Sequence, residues 1–468
     1  IGRRAFGLCK NLNTITFLCD EMINPNMINQ AENNMSFDDG TQADDMFKNI
    51  TINVRKELYD QYANNTFYQK FKGIKKSFEV GKEEYIAMSE KSVNMLKTKR
   101  EDYTFVLPTE IKNEGKKYEV NLIGDYAFEG VNNKIKEVVV KKNVEYIGAK
   151  AFVTNKDKNN LQSTVESVFF IESEPTAKML STTRFELDET KENYNEFAPT
   201  TKVYVKKTAL PKYKKEWNKK VYDRAIHNFK ESEFNFIKQI DYKIPVKKFI
   251  TNKYGTFARE FDTDFSAYKA ENNNTDVAAF VSKRTDIKIG NGDYGISTYH
   301  VSMTSVDVNG GVSDHYGYVP AETGVLLKVL DKEATPDDFF YTIGEKDDRK
   351  YTITGNVMRG ITVNSRSVSP TEEGGPVYVI TKKKGIFEKL TQTVEQFPIH
   401  KAYALIGNVP AGAKVMFSFS DDDSSTTGIM SVDAEKPADN VYYNLNGQRV
   451  TTPQRGIFIQ NGRKVIVK

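Results

Sequence analysis

The chain offers few residues that could do chemistry. Its four histidines are His227, His300, His315 and His400, and its two cysteines are Cys9 and Cys19. None belongs to a motif with a mechanism: H-E-x-x-H, C-x-x-C, G-x-S-x-G and G-x-x-x-x-G-K-[ST] are all absent. His300 reads as part of a strand and His400 as the start of one, positions for packing or surface. His315 lies in the turn-rich Ser313-Asp314-His315-Tyr316 and is the histidine best placed to face a ligand. Asp337-Asp338 and Asp347-Asp348 fall in charged loops and read as solvation. Asp421-Asp422-Asp423 lacks the alternate acidic positions, the glycine and the closing glutamate of a calcium loop, so it reads as linker. A glycosidase needs only two carboxylates and no motif, yet the architecture inferred below is not a common glycosidase scaffold. The expectation is a protein that is not an enzyme, with no catalytic, cofactor or metal residue to assign and no ligand-binding residue identifiable.

The elements that would position any site are repetitive. Ile1-Gly2-Arg3-Arg4-Ala5-Phe6, Ile123-Gly124-Asp125-Tyr126-Ala127-Phe128 and Ile147-Gly148-Ala149-Lys150-Ala151-Phe152 share the phrase I-G-x-x-A-F, and the last two start 24 residues apart (147 − 123). Each is followed by a strand-like phrase: Leu12-x-x-Ile15-x-Phe17, Ile135-x-x-Val138-x-Val140 and Val165-x-x-Val168-x-Phe170. Its last two apolar residues are two apart and so share one face of a strand. Glycine is expected to permit an unusual backbone conformation, and alanine to let turns approach. A period in the twenties is the mark of a leucine-rich-repeat solenoid, whose turns bury their apolar faces only by stacking. The two cysteines are left as thiols or as one bridge.

These residues resemble the BspA-type leucine-rich repeats of bacterial surface proteins, most closely from Tyr103 to Phe170. There Phe105-Val106-Leu107-Pro108, Asn113-Glu114-Gly115, Tyr118-x-Val120 and the two intact copies follow the family's order. The resemblance also implies that Cys9 is buried. The third strand phrase is delayed, 13 residues separating Phe152 from Val165 against 7 from Phe128 to Ile135. The interruptions repeat as well. Met46-Phe47, Ile52-x-Val54 and Leu58-Tyr59-x-x-Tyr62 recur 151 residues later around Phe197, Val203-x-Val205 and Leu210-x-x-Tyr213 (203 − 52). Two tandem units are therefore expected, each closed by a strand and a short helix, over Leu58–Phe71 and Leu210–Tyr222. Trp217, the one tryptophan, reads as packing. Propensity favours helix from Phe78 to Leu96, whereas the resemblance implies strands at Phe78-x-Val80, Tyr85-Ile86-x-Met88 and Val93-x-Met95.

Beyond Pro245 the pattern changes to short apolar runs and turn signals: Tyr299-x-Val301-x-Met303, Val325–Val329, Val377–Ile380 and Val415-x-Phe417-x-Phe419, with Asn291-Gly292, Asn309-Gly310-Gly311 and Gly374-Gly375 between strands. An all-β, sandwich-like domain is expected. Tyr254–Phe257 with Arg259-Glu260-Phe261-Asp262, and Val319–Leu327 echoed by His400–Tyr403, resemble a β module found after such repeats in secreted proteins of Gram-negative gut anaerobes. The tail, with Val441–Val450, Gly456–Ile459 and Gly462–Lys468, resembles C-terminal elements of exported proteins of those bacteria.

The fold class is thus α+β, mostly β: an irregular repeat solenoid in two units, then a β-sandwich-like domain and a short β tail. The boundaries are 1–77, 78–245, 246–420, a linker at 421–440, and a hairpin-like tail at 441–468. Length alone suggests about three domains. The 67 basic and 63 acidic residues nearly balance, which argues against a nucleic-acid partner, and the run Lys206–Lys220 reads as a solvated helix face. No apolar run reaches the roughly 18 residues of a membrane span. Starting inside a repeat, the chain is expected to continue upstream in the natural protein. The resemblance implies a non-enzymatic adhesin-like protein, exported to the cell surface or beyond, binding a host or bacterial protein or glycan through the solenoid. The alternative is an accessory protein of carbohydrate binding or glycan degradation acting through the β domain.

Overall fold

The structure, a computed structural model, describes residues 6, 9, 11–30, 34–35, 47–130, 134–155, 162–179, 196–232, 235–246, 254–271, 277–286, 298–306, 312–313, 317–329, 339–345, 355–380, 387–409, 414–418, 442–443, 449–450, 456–460 and 463–467. It is mostly strands with few, short helices. From residue 92 to 241 the chain alternates between two parallel sheets. One takes Thr104–Val106, Glu137–Val140, Ser167–Phe170, Lys202–Val205 and Ile240–Asp241 in chain order. The other takes Ser92–Thr98, Lys116–Ile123, Tyr146–Ile147 and Lys178–Met179. It is extended antiparallel by Glu83–Ala87 and Phe78–Val80, so Phe78 to Leu96 is strand rather than helix.

The repeat phrases explain this winding. Val138, Val140, Val168, Phe170, Val203 and Val205 point from the first sheet into a core shared with Ile123 and Ile147 of the second. Phe128 and Phe152 stack 5.4 Å apart and Phe152 on Phe197 at 4.9 Å, so each turn seats its ring on the last. The glycine acts differently from the sequence expectation. The left-handed residues are Tyr126 (φ 56°) and Lys150 (φ 53°), the fourth position of each phrase. Gly148 is needed for close approach instead: a Cβ there would lie 2.4 Å from the Asp125 backbone nitrogen. The Asp125 carboxylate accepts from the Ala149 N–H at 2.7 Å, tying consecutive copies together.

The earlier strand Thr51–Val54 lies between Thr14–Thr16 and Gly73–Lys76, all parallel. Strand and helix starts, Thr51 and Tyr59, recur at Lys202 and Leu210, 151 residues on (202 − 51). The closing helices are shorter than expected. Leu58–Phe71 breaks into a 3-10 turn, a helix at Tyr59–Ala63 and a second 3-10 turn at Tyr68–Lys70. Asn65 accepts from the Phe67 N–H and so offers the backbone a turn in place of the helix. The second helix stops at Glu216, and the chain then enters a strand at Lys220–Asp223. Trp217 is buried, its indole N–H donating to the Ala177 carbonyl at 2.8 Å. Cys9 is exposed, not buried, and both cysteines are thiols.

In the β module, Tyr254–Phe257, Val325–Val329, Val277–Asp286, Thr298–Val306 and Val312–Ser313 form one sheet, which Lys414–Ser418 joins in parallel to Thr298–Ser302. Ala278, Phe280, Tyr299, Val301 and Leu326 pack against Met358, Tyr378, Ala402 and Ala404 of a second sheet. Val277, Ala279, Val281, Val325 and Leu327 face the opposite way into another core. The larger sheet is therefore covered on both faces, whereas a two-layer sandwich would leave one face to solvent. The continuous apolar run Val277–Val281 is the sequence trace of that double burial. Ile244–Pro245, just before the expected boundary, pairs with Phe340–Tyr341 of the module. Among the described residues the tail, expected to be hairpin-like, forms four strands, Tyr442–Tyr443, Arg449–Val450, Gly456–Gln460 and Arg463–Val467, all antiparallel. The first I-G-x-x-A-F copy apart from Phe6, Met46, His315, both Asp pairs, the turns at 291–292 and 309–311, Phe419 and the linker lie outside the described residues.

Gly148→Ala should lower stability by about 1–3 kcal/mol through overpacking, read as a fall in the urea unfolding midpoint; an unchanged midpoint would show that the copies do not approach as described.

Candidate functional site

Alternation along the first parallel sheet leaves an outward apolar row: Val139, Phe169 and Tyr204. Those side chains are buried against Phe257, Phe261, Val325 and Tyr341 of the β module. Phe169 stacks on Tyr204 at 5.4 Å and meets Phe261 at 5.1 Å. The strand face that a repeat protein would offer to a partner is thus occupied by the chain's own second half.

A charged cluster is buried at this joint. Arg259, 3% exposed, donates to Glu137 Oε2 at 2.8 Å, to Glu260 Oε2 at 3.1 Å and to the Tyr341 hydroxyl at 3.2 Å. Its guanidinium lies over Phe169 and Phe261, 4.7 and 4.9 Å from their centroids. His400, at a left-handed backbone position (φ 57°), turns Nε2 to Glu137 Oε2 at 2.9 Å and Nδ1 to Glu260 Oε1 at 3.6 Å. Burial alone would push the Glu137 carboxyl up, but Arg259 and His400 outweigh it and hold it at about 2. Burial opposes the Arg259 charge, and Glu137 with Glu260 overrides that, holding the pKa above its ordinary value.

Glu137, Glu260 and His400 could hold a metal ion, their ligand atoms lying within 4.8 Å of one another. Glu260 Oε1 and His400 Nδ1 are buried without a hydrogen-bond partner. Charge argues against the ion. Arg259 already neutralises one of the two carboxylates, and a divalent cation would sit beside a guanidinium. The arrangement ties the two halves of the chain together.

The residues weighed from sequence end up scattered. His400 enters the joint, where the sequence pattern placed it at packing or surface. His227 is exposed at the turn of a hairpin, and His300 lies in strand Thr298–Val306. Cys19 is half-buried, its sulfur 3.8 Å from the Tyr62 hydroxyl. The run Lys206–Lys220 is not wholly a solvated face. Lys206 is buried, with Nζ donating to Ser173 and to the Glu345 carbonyl, and Lys219 is buried against Glu196 at 2.5 Å. Glu137, Arg259 and Glu260 were missed. Glu137 occupies a variable position of the repeat phrase, and the only hint at the others was an Arg-Glu pair within the run Phe257–Phe261. The two phrases of the β module meet each other: Asp262 accepts from Ala321 N–H at 2.7 Å and from the Tyr318 hydroxyl at 2.6 Å.

No family model matches the chain, and no curated protein matches it. Among solved structures it is similar to a leucine rich cell surface protein from Faecalibacterium prausnitzii A2-165, at 17% identity and TM-score 0.16, over 22% of this chain and 30% of that one. It is similar to a leucine-rich repeat protein from Bacteroides capillosus ATCC 29799, at 18% identity and TM-score 0.18, over 28% of this chain and 97% of that one. A leucine-rich repeat protein from Bacteroides ovatus ATCC 8483 is similar at 21% identity and TM-score 0.14, over 20% of this chain and 25% of that one. The chain thus spans less than a third of the first of these proteins.

Arg259→Ala, which leaves two buried carboxylates facing each other, should cost about 3–5 kcal/mol of stability. Glu137 titrates at about 2 in the folded chain against an ordinary 4.5. Its contribution, about 3 kcal/mol at neutral pH, is present above pH 4.5 and is lost as pH falls toward 2. Denaturant unfolding across that window should show the loss, and Glu137→Gln should flatten it; an equally steep loss in the variant would remove Glu137 from the account.

Proposed function

We propose that the chain is a non-enzymatic interaction protein of the cell surface or the secreted fraction. In this reading its repeats form an irregular leucine-rich-repeat solenoid of BspA-like type, in two tandem units, that binds a protein or glycan partner. The two parallel sheets followed in chain order and the stacked phenylalanines support the solenoid. The use of Glu137, Glu260 and His400 in ion pairs at a buried joint supports a role without catalysis. No described helix is long and apolar enough to cross a membrane.

The observation that carries the binding reading lies on the second parallel sheet. Its outward register runs through Leu122, Tyr146 and Lys178, with Asn94 at the buried end of the row. Exposed Lys178 places Nζ 5.8 Å from the centroid of Tyr146, whereas Lys150, buried, packs its Nζ 5.7 Å from that of Tyr126. Both tyrosines are half-buried. Rigid tyrosines beside cations are what protein and glycan recognition uses, because they lose little conformational freedom on binding. Among the described residues, the first sheet's outer face is covered, and the Tyr146–Lys178 end of this one is exposed.

The intact chain should bind saturably on an array of host matrix proteins and glycans and release no product. Tyr146→Ala with Lys178→Ala should weaken binding roughly tenfold or more and leave the melting temperature within a few degrees. Turnover of any arrayed glycan, or binding indifferent to the double variant, would sink the reading.

A further inference from the structure

One element has no counterpart in the first unit. The two units run 151 residues apart up to the helix starts, Tyr59 and Leu210. At the next 3-10 turn, Tyr68–Lys70 against Ile237–Gln239, the offset is 169 (237 − 68). The added residues form an antiparallel hairpin of Lys220–Asp223 and Asn228–Glu231, a two-stranded sheet of its own. Every residue of its second strand is exposed. Such a hairpin is marginal by itself, and the core of the unit does not need it.

The hairpin also breaks the rule that large apolar side chains are covered. Among the described residues four are exposed, and three are here: Tyr222 (48%), Ile226 (60%) and Phe229 (63%). Tyr222 and Phe229 are cross-strand partners with ring centroids 5.3 Å apart, forming an aromatic pair in solvent, and Ile226 stands at the turn. Charge concentrates in the same stretch. Residues 206–238 hold ten lysines and arginines against four acids. Lys206 and Lys219 are buried, and Lys207 and Lys212 pair with Glu271 and Glu174. Lys214, Lys215, Lys220, Arg224 and Lys238 remain as exposed cations. Within the hairpin, Asp223 is taken up by Lys230 at 3.0 Å, Glu231 stands opposite Lys220, and Arg224 is exposed at the turn.

We propose that the hairpin Lys220–Glu231 docks this protein on a lipid surface carrying acidic headgroups, with Ile226, Phe229 and Tyr222 entering the interface and the exposed Lys220 and Arg224 facing the headgroups. A soluble polyanion would use the charge and leave Ile226 and Phe229 in water. A neutral apolar partner would leave the charge excess without a role. An acidic bilayer uses both, since aromatic and aliphatic side chains settle at the headgroup boundary while basic residues are drawn to the negative surface. Peripheral docking of this kind needs no membrane-spanning segment, and it uses residues other than those of the Tyr146 face, so either reading can fail alone.

The test is co-sedimentation of the intact chain with phosphatidylcholine vesicles, with and without phosphatidylglycerol. Binding should require phosphatidylglycerol and weaken as salt is raised. Ile226→Ser with Phe229→Ser should reduce it roughly tenfold or more, and Lys220→Glu with Arg224→Glu roughly 30-fold or more. The melting temperature should not move in either double variant, because all four side chains are exposed. Equal binding to neutral vesicles, binding that survives loss of Ile226 and Phe229, or no sedimentation with either vesicle overturns the proposal.

Discussion

The structure depends on covering one apolar surface. Stacking parallel strands buries Val138, Val168 and Val203 inward, and the alternation of a strand obliges Val139, Phe169 and Tyr204 to face outward. A row of that kind cannot stay in water beside five aligned strands. The β module is what covers it, and its larger sheet is apolar on both faces because it serves the repeats on one side and its own second sheet on the other.

Apolar contact alone leaves two packed surfaces free to slide, and the buried charges fix their register. Arg259 has a planar fork that meets Glu137 across the joint and Glu260 on its own side, while its flat face rests on Phe169 and Phe261. His400 adds a third anchor from a distant part of the chain. Smaller polar contacts extend the seam: Thr104 N–H donates to the Val363 carbonyl at 3.1 Å and Tyr103 N–H to Asn364 Oδ1 at 2.8 Å. A buried ion pair is a weak source of net stability but a strong source of orientation, because misplacing it strands a charge.

Much of the local structure was legible. Two-residue alternation located the strands at Ile15, Val138, Val168 and Val203, and the 151-residue offset located the strand and helix that recur. The phrase I-G-x-x-A-F marked the places where rings stack, although the reason for its glycine lay in a neighbouring copy that no single phrase displays. Helix ends were misjudged where side chains redirected the backbone, at Asn65 and at Lys219, which turns inward to Glu196. The charged joint was not legible, because Glu137 and His400 are 263 residues apart and meet only through the docking of two sheets. Cys9 was misread because its place in the phrase suggested a core that does not reach it.

Hydrogen exchange on the intact chain tests the central claim most directly. If the module covers the repeats as described, amides of Glu137–Val140 and Ser167–Phe170 and those of Val277–Val281 share one high level of protection and lose it together when Arg259 is replaced. Protection of the repeats that is unmoved by that replacement, with exchange in the module rising independently, would show two bodies that merely adjoin and would contradict the account.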